Sequence, residues 1–312
     1  MWLFGHEINL IWSVLAFFSI YMVIFSFLIN LLEPYTPKIL SDTFGYGKTT
    51  NENLNVIVRL IQVPKSYFFH FYIFAVILMG LMLIQTFKVA MFGHPVPVWL
   101  EQTLNFLCFE SASSSTTPEA VIIVMSLMNI QCWRRLYECL YVNVDTGSKM
   151  NILHYIVGLA HYFCCAFGYI SESPGFAKHP ELFQSIQWIH IEPRLTNVTI
   201  WQISAVVMFA WAWKHQLTTH QIFADLKKSC QVTHSVPYGD WFQYVSCPHY
   251  LAEIIIYLSL AVIMGQKHRT GWIIFAWVLT NQMVAGLMSH LWYRKKFRTY
   301  PSNRKAVIPF FI

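Results

Sequence analysis

Charged residues are scarce in this chain. Asp, Glu, Lys and Arg make up 12% of its 312 residues, whereas hydrophobic residues make up 56%. An ordinary soluble domain carries about 25% charged residues. Because so few charged groups cannot cover so large an apolar interior, the composition predicts an integral membrane protein.

The motifs of several enzyme classes are also missing. No G-x-G-x-x-G is present, which argues against a Rossmann dinucleotide site, and there is no Walker loop, G-x-S-x-G elbow or H-E-x-x-H zinc pair. The seven cysteines show no metal or redox spacing, so we interpret them as small apolar side chains. His154 and His161 share an apolar segment and are interpreted as satisfied interior histidines, so no metal site is predicted.

What the chain does contain is seven long apolar segments. Crossing about 30 Å of hydrocarbon takes roughly 20 helical residues. The apolar runs are continuous rather than alternating, which predicts helices. The predicted fold class is an all-α integral membrane protein with about seven transmembrane helices in one bundle, forming a single domain over residues 1–312. The segments are approximately Ile8–Leu32, Tyr67–Phe92, Ala120–Val144, Ile152–Ile170, Val198–Trp213, Tyr250–Gly265 and Gly271–Trp292.

The distribution of Lys and Arg predicts the orientation of the bundle. Fourteen of them fall in the loops and tail on one side and five on the other. Since cytosolic loops carry the excess of positive charge, the C-terminus is predicted to be cytosolic and the N-terminus to lie across the membrane.

Ionisable residues inside membrane segments are costly and mark pairing or function. In the third segment, Arg135 and Glu138 are three apart and share a helical face. Two interpretations stay open here, a structural ion pair and an arginine that holds an anion.

Two further groups lie at the ends of later segments. Gln216, His220 and Lys227 form one stripe on the helix that continues the fifth segment, which by itself is most simply a solvated helix end. His249 and Glu253 are four apart at the start of the sixth, and a carboxylate one turn inside the hydrocarbon needs donors or a cation.

The C-terminal stretch combines an ionisable pair with a dense basic tail. His290 and Tyr293 are three apart at the end of the seventh segment, and six Lys and Arg follow. Such a concentration of cations next to polar side chains predicts a site for a polyanion.

Three stretches resemble the steroid 5-alpha-reductase family. Phe297–Phe310 resembles the C-terminus of that family, and Arg134–Val142 and Cys247–Glu253 resemble its polyprenol-reductase branch. The resemblance extends from about Val63 to the end of the chain. It implies a seven-helix enzyme of the endoplasmic reticulum membrane that uses NADPH bound from the cytosolic side.

By the same resemblance, residues 1–196 mainly form the lipid-substrate part, and residues 197–312 mainly form the cofactor-binding helices and the basic tail. The predicted cofactor-binding residues are Arg135, Gln216, His220, Lys227, His249, Glu253 and Tyr293.

The chain departs from the steroid-reducing members at two positions. Those members carry a glutamate on the second span and a tyrosine before the third-span arginine, whereas this chain has Phe71 and Cys132. A 3-oxo steroid is therefore disfavoured as substrate, and Val63–Tyr72 fits the polyprenol branch instead.

The implied reaction is reduction of the alpha-isoprene double bond of a polyprenyl lipid, on the route to dolichol and protein N-glycosylation. Hydride adds to a carbon–carbon double bond only where the negative charge can be stabilised. An unsaturated aldehyde forms an enolate, whereas an allylic alcohol has no such acceptor. We therefore expect polyprenal, rather than polyprenol, as the immediate substrate. The predicted catalytic residues are His290 first, for polarising the oxygen or supplying a proton, and then Tyr293 and His70.

Other activities remain compatible with the sequence. A trans-2-enoyl-CoA reductase or a 3-oxo-5-alpha-steroid reductase shares the expected fold and cofactor, and a prenylcysteine methyltransferase has similar C-terminal helices. A non-enzymatic lipid carrier predicts no NADPH binding. The predicted partner is the polyprenyl lipid; no nucleic-acid partner is expected, and the sequence identifies no protein partner.

Overall fold

The computed structural model describes residues 2–3, 6–31, 37–44, 55–108, 115–145, 147–176, 195–229 and 234–311. The helices are α1 (Leu10–Leu31), α2 (Lys38–Phe44), α3 (Val56–Leu60), α4 (Phe68–Phe92), α5 (Val98–Cys108), α6 (Pro118–Tyr137), α7 (Ile152–Ser171), α8 (Ile200–Ser229), α9 (Pro248–Met264) and α10 (Arg269–Lys296). The strands are β1 (Trp2–Leu3), β2 (His6–Glu7), β3 (Gln62–Pro64) and β4 (Lys149–Asn151), paired β1 with β2 and β3 with β4.

Each of the seven predicted apolar segments overlaps one of these helices, namely α1, α4, α6, α7, α8, α9 and α10. Among the described helices, α1, α4, α7 and α10 are long and apolar enough to cross a membrane, and α9 is apolar but shorter. The prediction of an all-α membrane protein is therefore confirmed, whereas the count of seven spans stays a prediction. Helix α8, which overlaps the fifth predicted segment, continues without a break to Ser229, as the sequence predicted.

The bundle is held by a continuous core of apolar side chains. Helix α4 packs on α6 and α7, α8 packs on α9, and α10 packs on α1 and α9. Glycines allow close approach at two crossings. A Cβ on Gly168 would lie 2.9 Å from Thr270 Cγ2, and one on Gly158 would lie 2.9 Å from Phe71 Cε2. Helix α7 is therefore seated tightly against α10 at one level and against α4 at another.

One end of the bundle collects most of the positive charge of the described residues, and we call it the basic end. Helices α4, α7 and α9 begin there, and α6, α8 and α10 finish there. The Lys and Arg residues at this end include Lys65, Lys149, Lys227, Lys228, Arg294, Lys295 and Lys296.

A short antiparallel pairing shapes the basic end. In it Gln62 lies opposite Asn151 and Pro64 opposite Lys149, and the Lys65 amide donates to the Ser148 carbonyl at 2.8 Å. The sequence analysis did not predict this pairing, because three-residue strands show no alternating pattern. This pairing holds the start of α4 next to the start of α7.

The opposite end is held by one buried carboxylate. Glu172, just after α7, accepts hydrogen bonds from the Thr270 amide at 2.7 Å, the Thr270 hydroxyl at 2.5 Å and the Arg269 amide at 3.0 Å. The Ser115 hydroxyl donates to it at 3.0 Å. Amides at a helix start lack partners within the helix and carry the positive end of its dipole. Glu172 therefore anchors α10 to α7.

We expect Glu172→Gln to destabilise the protein by about 2–4 kcal/mol, because it removes the charge at the start of α10 and points an amide NH₂ at backbone donors. Thermal unfolding of the detergent-purified protein measures this effect. Glu101→Gln on α5 is the matched control, since no described residue donates a hydrogen bond to the Glu101 side chain. Equal melting temperatures for the two variants would contradict the anchoring role.

Candidate active site

A cavity of about 560 Å³ runs from the basic end into the bundle. Side chains of α1, α4, α6, α7, α8, α9 and α10 line it. One part of its wall is polar and charged, and another part is apolar. The two parts suit different portions of a ligand, so the residues of each are described in turn.

A buried carboxylate organises the charged wall. Glu138 is fully buried and lies 2.9 Å from Arg134 Nη1, and Arg135 Nη1 donates to its other oxygen. His220 Nδ1 lies 2.8 Å from that same oxygen. Arg135 and His220 both line the cavity as well. Arg135 thus forms the structural ion pair that the sequence allowed and also faces the space where a ligand would bind.

The side-chain amide of Gln216 holds the second carboxylate of the wall, Glu253. The Gln216 side-chain oxygen accepts from Arg134 Nη2 and from Gln131 Nε2, the latter at 3.0 Å. The Gln216 NH₂ donates to Glu253 Oε2 and to the His249 carbonyl, the latter at 3.2 Å. No described residue donates to Glu253 Oε1, and Glu253 lines the cavity. The wall therefore presents a charged acceptor oxygen to a ligand.

Two lysines line the outer part of the cavity. Lys65 reaches it from the turn just before α4 and Lys227 from the end of α8, and Asp145 lines it as well. Burial lowers the pKa of the Lys227 ammonium, and Asp145 opposes this effect. Lys65 was missed by the sequence analysis, because its place depends on the β3–β4 pairing. Paired ammonium groups at one mouth are suited to phosphate oxygens.

Tyr72 is a second residue that the sequence analysis did not select. It lies on α4 and lines the cavity. Arg135 donates to its hydroxyl from Nη2 at 2.9 Å and from Nε at 3.1 Å. The contact joins α4 to the charged wall. The sequence analysis did not single out Tyr72, because tyrosine is common in hydrophobic helices.

The apolar part of the wall lies deeper. Phe18 and Met22 reach it from α1, Phe71 from α4, Val157 from α7 and Trp277 from α10. These side chains offer contact area without hydrogen-bonding groups, apart from the indole. They suit a hydrocarbon portion of a ligand.

His161 lines the same region and has both ring nitrogens engaged. Trp277 Nε1 donates to its Nδ1 at 3.2 Å, and Tyr257 OH lies 2.8 Å from its Nε2. Because the indole can only donate, Nδ1 accepts and Nε2 carries the proton in the neutral ring. His161 is therefore a satisfied interior histidine, as the sequence analysis interpreted it.

His290 and Tyr293 lie in a separate cluster and are not among the residues that line the cavity. Ser246 Oγ lies 2.7 Å from His290 Nδ1 and accepts from Tyr300 OH at 2.6 Å. The Tyr293 ring stacks on Tyr300 with centroids 5.4 Å apart. Arg304 lies over the Tyr300 ring at 5.4 Å. The cluster fastens the C-terminal tail to α10 and to the loop before α9.

His70, the remaining predicted catalytic residue, also lies outside the cavity wall. Its Nδ1 lies 3.2 Å from Tyr155 OH, and its ring contacts Tyr67. Its chain neighbours Phe71 and Tyr72 face the cavity instead.

The structure brings together all but one of the predicted cofactor-binding residues. Arg135, Gln216, His220, Lys227, His249 and Glu253 all line the same cavity, and Tyr293 does not. These six residues come from three different helices, α6, α8 and α9. Their cofactor-binding role stays a prediction.

Comparison with known proteins decides the family. The profile of the 3-oxo-5-alpha-steroid 4-dehydrogenase family matches residues 148–312, more than half of the chain. The chain belongs to this family. Among its relatives are a polyprenal reductase of Xenopus tropicalis, 35% identical over 280 residues and 88% of each chain, and one of Homo sapiens, 32% identical over 304 residues, 91% of this chain and 92% of the human one. A polyprenal reductase of Danio rerio is 29% identical over 313 residues, 97% of each chain.

The resemblance stated from the C-terminal motifs is thus confirmed. In this member of the 3-oxo-5-alpha-steroid 4-dehydrogenase family, the cavity also draws on residues before the matched region. Gln216 and Glu253 belong to that region, whereas Lys65, Tyr72 and Arg135 precede it. The site is therefore formed by both parts of the chain.

We expect Glu138→Gln to cost about 3–5 kcal/mol of folding free energy, because it leaves two buried guanidinium groups without their carboxylate. The expected result is a large fall in melting temperature in detergent. Glu138→Gln combined with Arg134→Gln restores the charge balance and should recover part of the loss. A single variant as stable as the wild type would show that the ion pair does not support the fold.

Proposed function

We propose that this protein reduces the alpha-isoprene double bond of polyprenal with NADPH, giving dolichal on the route to dolichol and protein N-glycosylation. The observation that carries the proposal is a single cavity that joins a charged wall to an apolar one. The relatives named polyprenal reductase support it over nearly the whole length of the chain. We propose the endoplasmic reticulum membrane as its location, with several spans and the C-terminus in the cytosol.

The residues present fit a nicotinamide dinucleotide. Glu253 Oε1, which faces the cavity without a described donor, suits the NH₂ of the nicotinamide carboxamide. Lys65 and Lys227 suit phosphate groups, and His249, at the start of α9, lines the same cavity. When bound, the nicotinamide supplies a hydride to the substrate and is oxidised.

The apolar wall suits the isoprenoid. Phe18, Met22, Phe71 and Trp277 can contact the first isoprene units while the aldehyde faces the charged wall. Water is poorly accommodated beside these side chains, which strengthens any hydrogen bond to the developing enolate. Arg135, held by Glu138, adds a fixed positive charge near that position.

We propose a positioning role for His290 and Tyr293, in place of the catalytic role that the sequence suggested for them. Both fasten the tail rather than face the cavity. We expect His290→Ala to lower kcat less than about tenfold and to lower the melting temperature. A larger loss of kcat with unchanged NADPH binding would restore the catalytic assignment.

The function is tested by giving purified protein NADPH with polyprenal in one reaction and polyprenol in another. We expect a gain of two hydrogens, read by mass spectrometry, with the aldehyde alone. Reduction of the alcohol alone would contradict the enolate argument. A trans-2-enoyl-CoA and a 3-oxo-4-ene steroid are parallel substrates, and turnover of either without polyprenal reduction would replace the proposal.

Cofactor binding is tested separately from turnover. We expect Lys65→Ala and Lys227→Ala each to weaken NADPH binding about tenfold, because a hydrogen bond to a charged group contributes about 1.5–3 kcal/mol. Quenching of tryptophan fluorescence reports the affinity. Lys149→Ala is the matched control, since Lys149 lies exposed at the same end and does not line the cavity. An equal loss in all three variants would indicate general charge attraction rather than a phosphate subsite.

Titration with NADH distinguishes the phosphate involved. If the lysines contact the 2′-phosphate, the variants lose affinity for NADPH and keep their affinity for NADH. If they contact the pyrophosphate, both affinities fall together.

A further inference from the structure

The hydroxyl of Tyr72 is held in an unusual hydrogen-bonding state. Arg135 approaches it with two nitrogens, Nη2 at 2.9 Å and Nε at 3.1 Å. A guanidinium group can only donate, so the phenol oxygen accepts both hydrogen bonds. The Arg135 guanidinium is held in this position because its Nη1 donates a hydrogen bond to Glu138.

The phenol proton is consequently directed to a ligand. A phenol oxygen has two lone pairs and one proton, and Arg135 occupies the lone pairs. No described residue accepts the proton, and Tyr72 lines the cavity. Two charge-assisted bonds to the oxygen polarise the O–H group, which makes it a stronger donor toward a developing negative charge.

The neighbouring side chains are less suited to donating a hydrogen bond to a ligand. His161 uses both ring nitrogens within the bundle. Phe71 has no donor, and Cys132 is fully buried and does not line the cavity. The Tyr162 ring lies edge-on to Tyr72, with centroids 5.7 Å apart, and receives no hydrogen bond from a described arginine.

We propose that Tyr72 is the catalytic residue that donates a hydrogen bond to the aldehyde oxygen of the isoprenoid substrate and stabilises the enolate. This proposal rests on the function proposed above. As hydride adds to the β carbon, the electrons of the carbon–carbon double bond shift toward the carbonyl carbon, and those of the carbonyl move onto oxygen. Tyr72 holds that oxygen through its O–H. A proton from water then adds to the α carbon and the carbonyl re-forms, so the substrate gains two hydrogens.

The first test is Tyr72→Phe, which removes the O–H and keeps the ring. Losing one donor to an oxyanion lowers kcat about 10²- to 10³-fold. NADPH affinity is expected to stay within about twofold, since the ring and the cofactor wall remain. Tyr169→Phe is the matched control: Tyr169 is a buried α7 tyrosine outside the cavity, and its hydroxyl has no hydrogen-bond partner among the described residues.

The second test does not depend on turnover. The ultraviolet absorption of an unsaturated aldehyde moves to longer wavelength when a donor binds its oxygen. Polyprenal bound together with NADP⁺, which carries no hydride, should show this shift with the wild type and with Tyr169→Phe. It should be absent with Tyr72→Phe. If that variant does not fold, Tyr72→Met leaves a weak acceptor for Arg135 without a proton and serves the same comparison.

The outcomes separate this proposal from the proposed function. If the wild type fails to reduce polyprenal, the function itself is overturned. If the wild type is active and Tyr72→Phe keeps more than about a third of its kcat, or keeps the spectral shift, the role of Tyr72 is overturned. Loss of both with unchanged NADPH affinity supports it.

Discussion

The fold depends on how charge is kept inside an apolar bundle. Glu138 is fully buried, and Arg134, Arg135 and His220 surround it. An isolated ion at this depth would be strongly unfavourable, so all these groups must be assembled together. Helices α6 and α8 are thereby fixed relative to each other. The bundle cannot form its core without also forming the charged wall of the cavity.

That arrangement joins stability to function. Arg135 is bound to Glu138 on one side and to Tyr72 on the other. Gln216 similarly connects Arg134 to Glu253. Side chains on the cavity wall are thus backed by buried groups outside it, Glu138 behind Arg135 and Arg134 behind Gln216. Such support reduces the reorganisation needed when charge develops on a bound molecule.

The sequence predicted what depends on local spacing. Helical periodicity located the apolar helices and placed His249 and Glu253 on one face, and the structure puts both on the cavity wall. Lys65 was missed because the short β3–β4 pairing positions it. Tyr72 was missed because its distinction lies in a contact with α6, 63 residues away in sequence.

At the C-terminus, local spacing did not predict the neighbours of His290. His290 precedes a basic tail, which suggested a site for ligand at that position. In the structure the tail folds back, and Tyr300 and Ser246 occupy the space beside His290. Spacing along one helix shows which residues share a face, but not whether a ligand or another part of the chain covers that face.

The β3–β4 pairing has a consequence for how the cavity exchanges its contents. It comprises three paired positions, whereas the floor of the cavity is enclosed by long, tightly packed helices. Within the pairing, Lys149 and Pro64 form the exposed outer pair, whereas Met150 and Asn151 are buried. Exposed segments open locally at a lower free energy than global unfolding. Opening at the outer pair, next to Lys65, would widen the mouth of the cavity while the buried pairs and the floor stay in place.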